Sequence, residues 1–164
     1  MKLVSNPLLS ITLLAAVLRV AGMIVEPLWY DETFTASLVG LPLENMVVAT
    51  LGDVHPPTWY LIEWAVAQLM GVNILGLRLV SLLAGVALVP LMWKLAVRFD
   101  LNPTAAALIT AISPMFIVYS NEARAYSLLY LLAAIATLAL LDKRWIWFIL
   151  SAAGMLWLHN LAVF

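Results

Sequence analysis

Cysteine is absent from the 164-residue sequence, and charged residues are scarce. Without cysteine the chain has no disulfide framework and no thiolate metal site. Charged residues make up 10% of the sequence and hydrophobic residues 65%, whereas an average soluble domain contains about 25% and roughly 45–50%. The 8 Lys and Arg against 9 Asp and Glu also lack the positive excess that nucleic-acid binding requires. The composition therefore argues against a soluble domain and against a nucleic-acid partner.

Hydrophobic residues instead form long blocks, each close to the length of about 20 residues that a helix needs to cross a bilayer. The blocks predict an all-α fold, a polytopic bundle of about five transmembrane helices in a single membrane domain over residues 1–164. Pro114 is compatible with a span, since neighbouring helices can satisfy the carbonyl that it frees. The last apolar block stops at Phe164 with no charged residue after it, so we expect a fragment of a longer protein. The predicted spans are residues 8–25, 77–97, 105–119, 126–141 and 145–164.

Lysine and arginine indicate the orientation, because they collect in cytoplasmic loops near the ends of spans. If residues 57–72 do not span, five cationic residues lie inside and two lie outside; if they do span, the bias is reversed. We therefore predict a cytoplasmic N terminus and an extracytoplasmic loop over residues 26–76. The inside set is Lys2, Lys94, Arg98, Lys143 and Arg144, and the outside pair is Arg78 and Arg124.

The outer loop contains two segments with helical features. Residues 43–51 place apolar side chains at helical spacing, which predicts a short amphipathic helix lying in the membrane interface. Residues 57–72 predict a second interfacial helix, with Trp59, Tyr60 and Trp64 as aromatic anchors at headgroup depth. Most of the acidic residues also fall outside, which places any chemistry at the outer surface; these are Glu26, Asp31, Glu32, Glu44, Asp53, Glu63 and Glu122.

Two acidic clusters of the outer loop could carry chemistry. Asp31 and Glu32 are neighbours, and a carboxylate there could deprotonate an acceptor hydroxyl or hold a divalent cation; a solvated pair or an N-cap is the simpler alternative. Asp53 and His55 precede two prolines, so His55 is either a neutral partner of the acids or an exposed part of a rigid helix start. With His159 it makes only a weak zinc motif.

Arginine near the membrane surface forms the remaining candidate site. Glu122 and Arg124 lie in a short turn between two predicted spans, where charged groups are costly unless they are paired or face a cavity. The guanidinium fork suits a lipid-linked phosphate, although a surface pair or a snorkelling arginine is the alternative. For Arg19 and Arg78 we expect structural roles, with Arg19 extending outward or pairing with Glu26.

The order of these motifs resembles the N-terminal part of the GT-C glycosyltransferases. A span is followed by an Asp-Glu loop, His-Pro-Pro with aromatic residues, Arg-x-x-Ser, Ser-Pro and a Ser-x-Glu-Ala-Arg-x-Tyr turn. The likeness is greatest to the branch that contains the protein O-mannosyltransferases and the lipid A aminoarabinose transferase. It implies a fold of many membrane helices whose outward-facing site is roofed by interfacial helices, in a bacterial inner or plasma membrane.

The resemblance also implies the reaction. Family members transfer one sugar from a polyprenyl-phosphate donor to a lipid, glycan or protein acceptor on the extracytoplasmic side, and a single displacement would invert the anomeric centre. Asp31 would match the catalytic base, with Glu32 beside it, and Arg124 would lie near the donor phosphate. The cavity would be lined by His55, Asp53, Glu122 and Tyr126.

No cofactor is required by the sequence, although some GT-C enzymes use a divalent cation. Membrane lipids are expected partners in any case. The alternative is a non-enzymatic membrane subunit, or a pseudoenzyme, that binds a lipid or protein partner through its outer loop. Acids at helix centres would favour transport. Because the acids here cluster in loops, the enzyme is the preferred hypothesis.

Overall fold

The computed structural model describes residues 6–53 and 55–163 of the chain. It confirms the all-helical prediction, with 80% helix. Within the described residues there are nine α-helices and a final 3-10 turn at Asn160–Val163. The helices are α1 (Pro7–Val25), α2 (Tyr30–Val39), α3 (Leu43–Thr50), α4 (Thr58–Met70), α5 (Ile74–Arg98), α6 (Pro103–Ile112), α7 (Pro114–Ser120), α8 (Tyr126–Leu141) and α9 (Trp145–Leu158).

Asparagine side chains cap the N-termini of three apolar helices. Asn6 accepts a hydrogen bond from the backbone of Leu8 at the start of α1, and Asn73 and Asn102 do the same for α5 and α6. Such caps satisfy backbone N–H groups that have no partner within the helix. These short signals explain why the helices begin where their apolar runs begin.

The long helix α5 is the centre of the bundle and packs against α1, α6 and α8. By length and composition, α1 and α5 can each cross a membrane, and α6 with α7 is a third candidate bent by 56°. The prediction of about five spans is not confirmed, because α8 and α9 are apolar but have only 16 and 14 residues. At 1.5 Å per residue, such helices are shorter than the roughly 30 Å of a hydrocarbon core.

The predicted span 105–119 forms two helices, because the helix is interrupted at Pro114. Ser113 adopts an extended conformation with ψ 124° before α7 begins at Pro114. Proline removes a backbone donor and forces the preceding residue out of the helical region, so α6 ends there. The break leaves carbonyls at the end of α6 without helical partners.

Arg19 of α1 binds those freed carbonyls. Its Nη1 and Nη2 donate to the carbonyl oxygens of Ala111 and Thr110, each at 3.1 Å, and its Nε donates to Ser120 Oγ at 3.1 Å. Arg19 is fully buried. The predicted structural role therefore fits this geometry, but the expected outward extension or pairing with Glu26 is wrong.

Helices α2, α3 and α4, which fall in the predicted outer loop, pack against one another and against the bundle. Helix α4 contacts α2, α3 and α5. Trp59 and Tyr60 are only 3% and 1% exposed, and Trp59 Nε1 donates to the carbonyl of Ala123 at 3.1 Å. The prediction that these two aromatics are headgroup anchors is wrong, because they face protein rather than lipid. An interfacial position for α3 and α4 is not confirmed.

Candidate functional site

A buried ion pair between Glu32 and Arg78 joins three helices beneath the site. Arg78 Nη2 and Nε donate to the two carboxylate oxygens of Glu32 at 2.6 and 2.7 Å, and both side chains are at most 1% exposed. Glu32 Oε1 also accepts from the backbone N–H of Ala123 at 2.8 Å. Arg78 also donates to carbonyls at and just beyond the end of α1, those of Met23, Glu26 and Pro27.

This pair is structural, since a buried charge pair persists only where its remaining groups are also hydrogen-bonded. The bonds connect the end of α1, the start of α2, the first turns of α5 and the α7–α8 turn. Glu32 consequently points into the protein and has no surface open to a substrate. Asp31, its neighbour in the first turn of α2, is instead 33% exposed.

Asp31 faces Arg124 across a cavity. Asp31 Oδ2 lies 3.7 Å from Arg124 Nη2, and the two side chains are 33% and 10% exposed. At that distance the two groups form an ion pair, but they are too far apart for a good hydrogen bond. Ser81 of α5 fixes the α7–α8 turn by donating to the carbonyl of Arg124 at 2.9 Å. The accessible carboxylate of Asp31 and the shielded guanidinium of Arg124 therefore line the same cavity.

A second set of polar groups holds the other side of Arg124. His55 Nε2 is 3.5 Å from Arg124 Nη2, and His55 Nδ1 is 3.5 Å from Asp53 Oδ2. Tyr60 donates its hydroxyl to the same Asp53 oxygen at 2.6 Å. A neutral imidazole suits both neighbours when Nδ1 carries the proton, because Nε2 then offers a lone pair to the guanidinium. Burial, and secondarily Asp53, raises the pKa of Tyr60 well above its usual value.

These residues line a cavity of about 250 Å³, which we call the polar cavity. A neighbouring groove of about 390 Å³, the apolar groove, begins where α8 faces α9. Arg124 lines the polar cavity and Tyr126 lines the apolar groove, and the guanidinium carbon is 6.0 Å from the centre of the Tyr126 ring. The polar cavity is lined by Tyr30, Asp31, Phe34, Asp53, His55, Tyr60 and Arg124, and the apolar groove by Tyr126, Leu129, Tyr130, Ala133, Met155, His159 and Ala162.

The structure thus brings together most of the residues predicted for the site. Asp31, Asp53, His55 and Arg124 share the polar cavity, and Tyr126 lines the apolar groove. Glu32 lies in the ion pair described above. Glu122 lies in the α7–α8 turn and is partly buried. This burial, and secondarily the charge of Glu32, raises the pKa of its carboxyl. Within the described residues, the polar cavity does not include Glu122.

Tyr60 is the residue that sequence reasoning missed. Its aromatic ring in an apolar segment has the same appearance in the sequence whether it anchors a helix in lipid or packs inside a protein. The spacing of seven residues from Asp53 crosses a loop and the start of α4, so no simple periodicity connects the two. Only the folded loop brings the phenol to the carboxylate.

The histidines lie together but do not form a metal centre in the described structure. The rings of His55 and His159 meet edge to face with centroids 5.2 Å apart. Burial, followed by the charges of His55 and Arg124, lowers the pKa of His159, which favours its neutral form. Among residues 6–53 and 55–163, no group of three His, Asp or Glu side chains is placed to hold a metal ion.

Comparison with known proteins identifies the family. The family model described as dolichyl-phosphate-mannose-protein mannosyltransferase matches residues 54–158, which is more than half of the chain and includes His55, Arg124 and Tyr126. No curated protein and no solved structure matches the chain. The finer branch suggested by the motifs stays a prediction. With its apolar helices, the chain belongs to the dolichyl-phosphate-mannose-protein mannosyltransferase family of GT-C membrane glycosyltransferases.

Proposed function

We propose that this chain supplies the transfer site for a polyprenyl-phosphate-linked sugar, with Arg124 on the phosphate and Asp31 as the base. The observation that carries the proposal is the position of Arg124. Its guanidinium is largely shielded from solvent and lines the polar cavity, and the ring of Tyr126, 6.0 Å away, lines the apolar groove. A polyprenyl-phosphate sugar has the same division, since a charged phosphate joins a polar sugar to an apolar tail.

The apolar groove suits the lipid part of such a donor. Its walls carry Leu129, Met155 and the ring of Tyr130, and Tyr126 separates them from the guanidinium. Arginine binds phosphate through parallel hydrogen bonds, which orient as well as attract. The sugar would then occupy the polar cavity, within reach of Asp31.

In the structure described here Asp31 partly neutralises Arg124. Their separation of 3.7 Å is a loose contact, which a phosphate with better hydrogen-bond geometry can replace. Donor binding would in this way release Asp31 to face the acceptor hydroxyl. Asp53 and His55 would keep the guanidinium in place from the other side.

The chemistry then follows a single displacement. The bond between the anomeric carbon and the phosphate oxygen breaks, and the electron pair goes to the phosphate, where Arg124 stabilises the developing charge. The acceptor oxygen forms the new bond to the anomeric carbon, and its proton passes to Asp31. Attack from the face opposite the phosphate inverts the anomeric centre. The distribution of basic residues supports an extracytoplasmic site, and the acceptor is a lipid, glycan or protein hydroxyl.

Asp31→Asn tests the proposal in the full-length protein. We expect transfer to fall by about 10²–10⁴-fold, the contribution of a positioned general base. Binding of dolichyl-phosphate-mannose should stay equal or become tighter, because the carboxylate that competes for Arg124 has lost its charge. The exposed Glu44→Gln is the matched control for loss of an outer-loop carboxylate and should leave both unchanged.

Transfer by Asp31→Asn at the wild-type rate would remove Asp31 from the mechanism. Donor binding without any turnover in the wild-type protein would instead support the binding subunit or pseudoenzyme. Measuring both transfer and donor binding therefore distinguishes an error in the assignment of the base from an error in the proposed function.

A further inference from the structure

A second groove lies at the opposite end of the bundle from the polar cavity. It has a volume of about 490 Å³ and lies where the last turns of α5 and α8 meet the start of α9. Arg78, beside the candidate site, and Arg98, in this groove, belong to the same helix α5. The helical rise between them is about 30 Å, which equals the thickness of a hydrocarbon core. The two sites therefore lie near opposite surfaces of the membrane.

This second groove, the basic groove, combines positive charge with apolar walls. Lys94, Arg98 and Arg144 line it together with a single acid, Asp142. Arg98 Nη2 is paired with Asp142 Oδ1 at 2.7 Å. In the part of the chain that the structure describes, Lys94 and Arg144 form no ion pair, so the groove has a net positive charge. Both side chains are exposed, and they extend from different elements.

The walls are formed by tryptophan and aliphatic side chains. Trp93 of α5, Leu138 of α8 and Trp147 of α9 all line the groove. A free inorganic anion would gain nothing from such walls, and an uncharged lipid would gain nothing from the cations. A molecule with a phosphate next to an acyl chain uses both.

We propose that the basic groove binds one anionic phospholipid of the surrounding membrane. Its phosphate would lie between Lys94 and Arg144, and an acyl chain would follow Trp93, Leu138 and Trp147. Basic pockets between membrane helices bind anionic headgroups in this manner, and tryptophan prefers the same depth. Because Lys94 belongs to α5 and Arg144 precedes α9, the bound lipid connects these helices and stabilises the bundle at the end remote from the transfer site.

The test measures lipid binding and thermal stability of the full-length protein in an uncharged detergent. Phosphatidylglycerol, phosphatidylcholine and inorganic phosphate are added separately, with bound lipid counted by native mass spectrometry. We expect phosphatidylglycerol to bind and to raise the unfolding midpoint, whereas phosphatidylcholine and inorganic phosphate have little effect. The gain should weaken at high salt, because part of the attraction is electrostatic.

The double variant Lys94→Gln with Arg144→Gln should lower the affinity for phosphatidylglycerol by about ten-fold or more. Its lipid-free midpoint should match the wild type, since both side chains are exposed and unpaired within the described structure. Lys143→Gln removes the neighbouring charge, which lies outside the groove lining, and should leave the affinity close to that of the wild type.

Several outcomes would overturn the proposal. Equal binding of phosphatidylcholine would show no headgroup recognition, and equal protection by inorganic phosphate would indicate a free-anion site. An equal loss in Lys143→Gln would show diffuse surface attraction. If phosphatidylglycerol failed to bind the wild type while the double variant lowered the lipid-free midpoint, the groove would be covered by protein. None of these readouts depends on sugar transfer.

Discussion

Two buried arginines of this chain have roles that differ because their partners differ. Arg78 meets a carboxylate and several carbonyls, whereas Arg19 meets carbonyls and a hydroxyl. Removal of one partner from a buried ion pair typically costs about 3–5 kcal/mol, since the other charge is left unpaired. Arg124 is different from both, because its guanidinium borders an open cavity. Of these three arginines, Arg124 is therefore the one placed to meet a substrate.

Glu63 is the most unusual single residue outside the site. It is fully buried in α4, and within the described residues neither carboxylate oxygen has a hydrogen-bond partner. Burial, and secondarily the charge of Glu32, raises its pKa from 4.5 to about 9. The side chain is therefore protonated in the folded protein at neutral pH.

The titration of Glu63 predicts a pH-dependent stability. The unfolded chain loses this proton near pH 4.5 and the folded chain only near pH 9, so the folded state binds more protons between these values. The stabilisation is complete below pH 4.5 and declines as pH rises, by at most about 1.4 kcal/mol per pH unit. Glu63→Gln, which is always neutral, should become progressively more stable than the wild type between pH 5 and pH 8. Thermal unfolding over this range measures the difference.

Glu44→Gln is the control for this experiment, because Glu44 is an exposed carboxyl of the same outer loop. Its stability curve should run parallel to that of the wild type. Parallel curves for Glu63→Gln and the wild type would contradict a protonated Glu63.

At this scale the sequence predicted the chemistry of single residues better than their contacts. Asp31 and Arg124 are far apart in the chain and were predicted for one site, and the structure places them 3.7 Å apart. Glu32 has the same side-chain type as a catalytic acid, and its burial depends on Arg78, which sequence spacing does not reveal. The Tyr60 contact with Asp53 likewise exists only in the folded loop.

Among the elements, the long helices follow directly from hydropathy. The predicted span 8–25 corresponds to α1 at Pro7–Val25, and the predicted span 77–97 lies within α5 at Ile74–Arg98. Long apolar runs with an asparagine cap have few alternatives. The predicted interfacial position of α4 relied on its aromatic residues. In the sequence, an aromatic face looks the same whether it packs against lipid or against protein. Which of the two applies depends on how α2 and α3 pack against α4. These are tertiary contacts, which the sequence pattern does not reveal.

The close approach of α5 and α7 depends on glycine at position 85. A Cβ at Gly85 would lie 2.8 Å from Ser120 Cβ and 3.0 Å from Arg19 Nε, where no room exists. Alanine would therefore push apart the contacts that hold Arg19 on the broken α6–α7 pair. We expect Gly85→Ala to lower stability by about 1–3 kcal/mol, as overpacking does, measured by thermal unfolding.

Gly154→Ala in α9 is the matched substitution. Its new Cβ would meet only Leu132 Cδ1, the flexible end of a side chain, at 3.3 Å. Since alanine is the better helix former by about 1 kcal/mol, this variant should be neutral or slightly more stable. A Gly85→Ala protein as stable as Gly154→Ala would show that the contact does not matter.

In the whole molecule, the two proposed sites lie at the two ends of α5. The polar cavity and the basic groove are separated by the length of that helix. The distribution of lysine and arginine predicts that the cavity is extracytoplasmic and the groove cytoplasmic. The number of spans could not be read reliably from hydropathy, because Pro114 breaks one of them and α8 and α9 are short.

The absence of native cysteine permits a direct test of this orientation. A single cysteine at the exposed Asn45 should react with an impermeant thiol reagent added to intact cells. A cysteine at Lys143 is the matched position at the other end and should react only after the membrane is opened. The reverse pattern would show that the molecule is inserted the other way round.

Binding of dolichyl-phosphate-mannose to Arg124→Gln in the full-length protein is the most direct measurement. We predict that donor affinity falls about 10–100-fold, as expected for loss of a charge-assisted hydrogen bond of about 1.5–3 kcal/mol. The unfolding midpoint should stay close to that of the wild type, Arg124→Lys should restore part of the affinity, and Lys143→Gln should bind like the wild type. Unchanged donor affinity in a folded Arg124→Gln protein would show that Arg124 does not bind the donor phosphate.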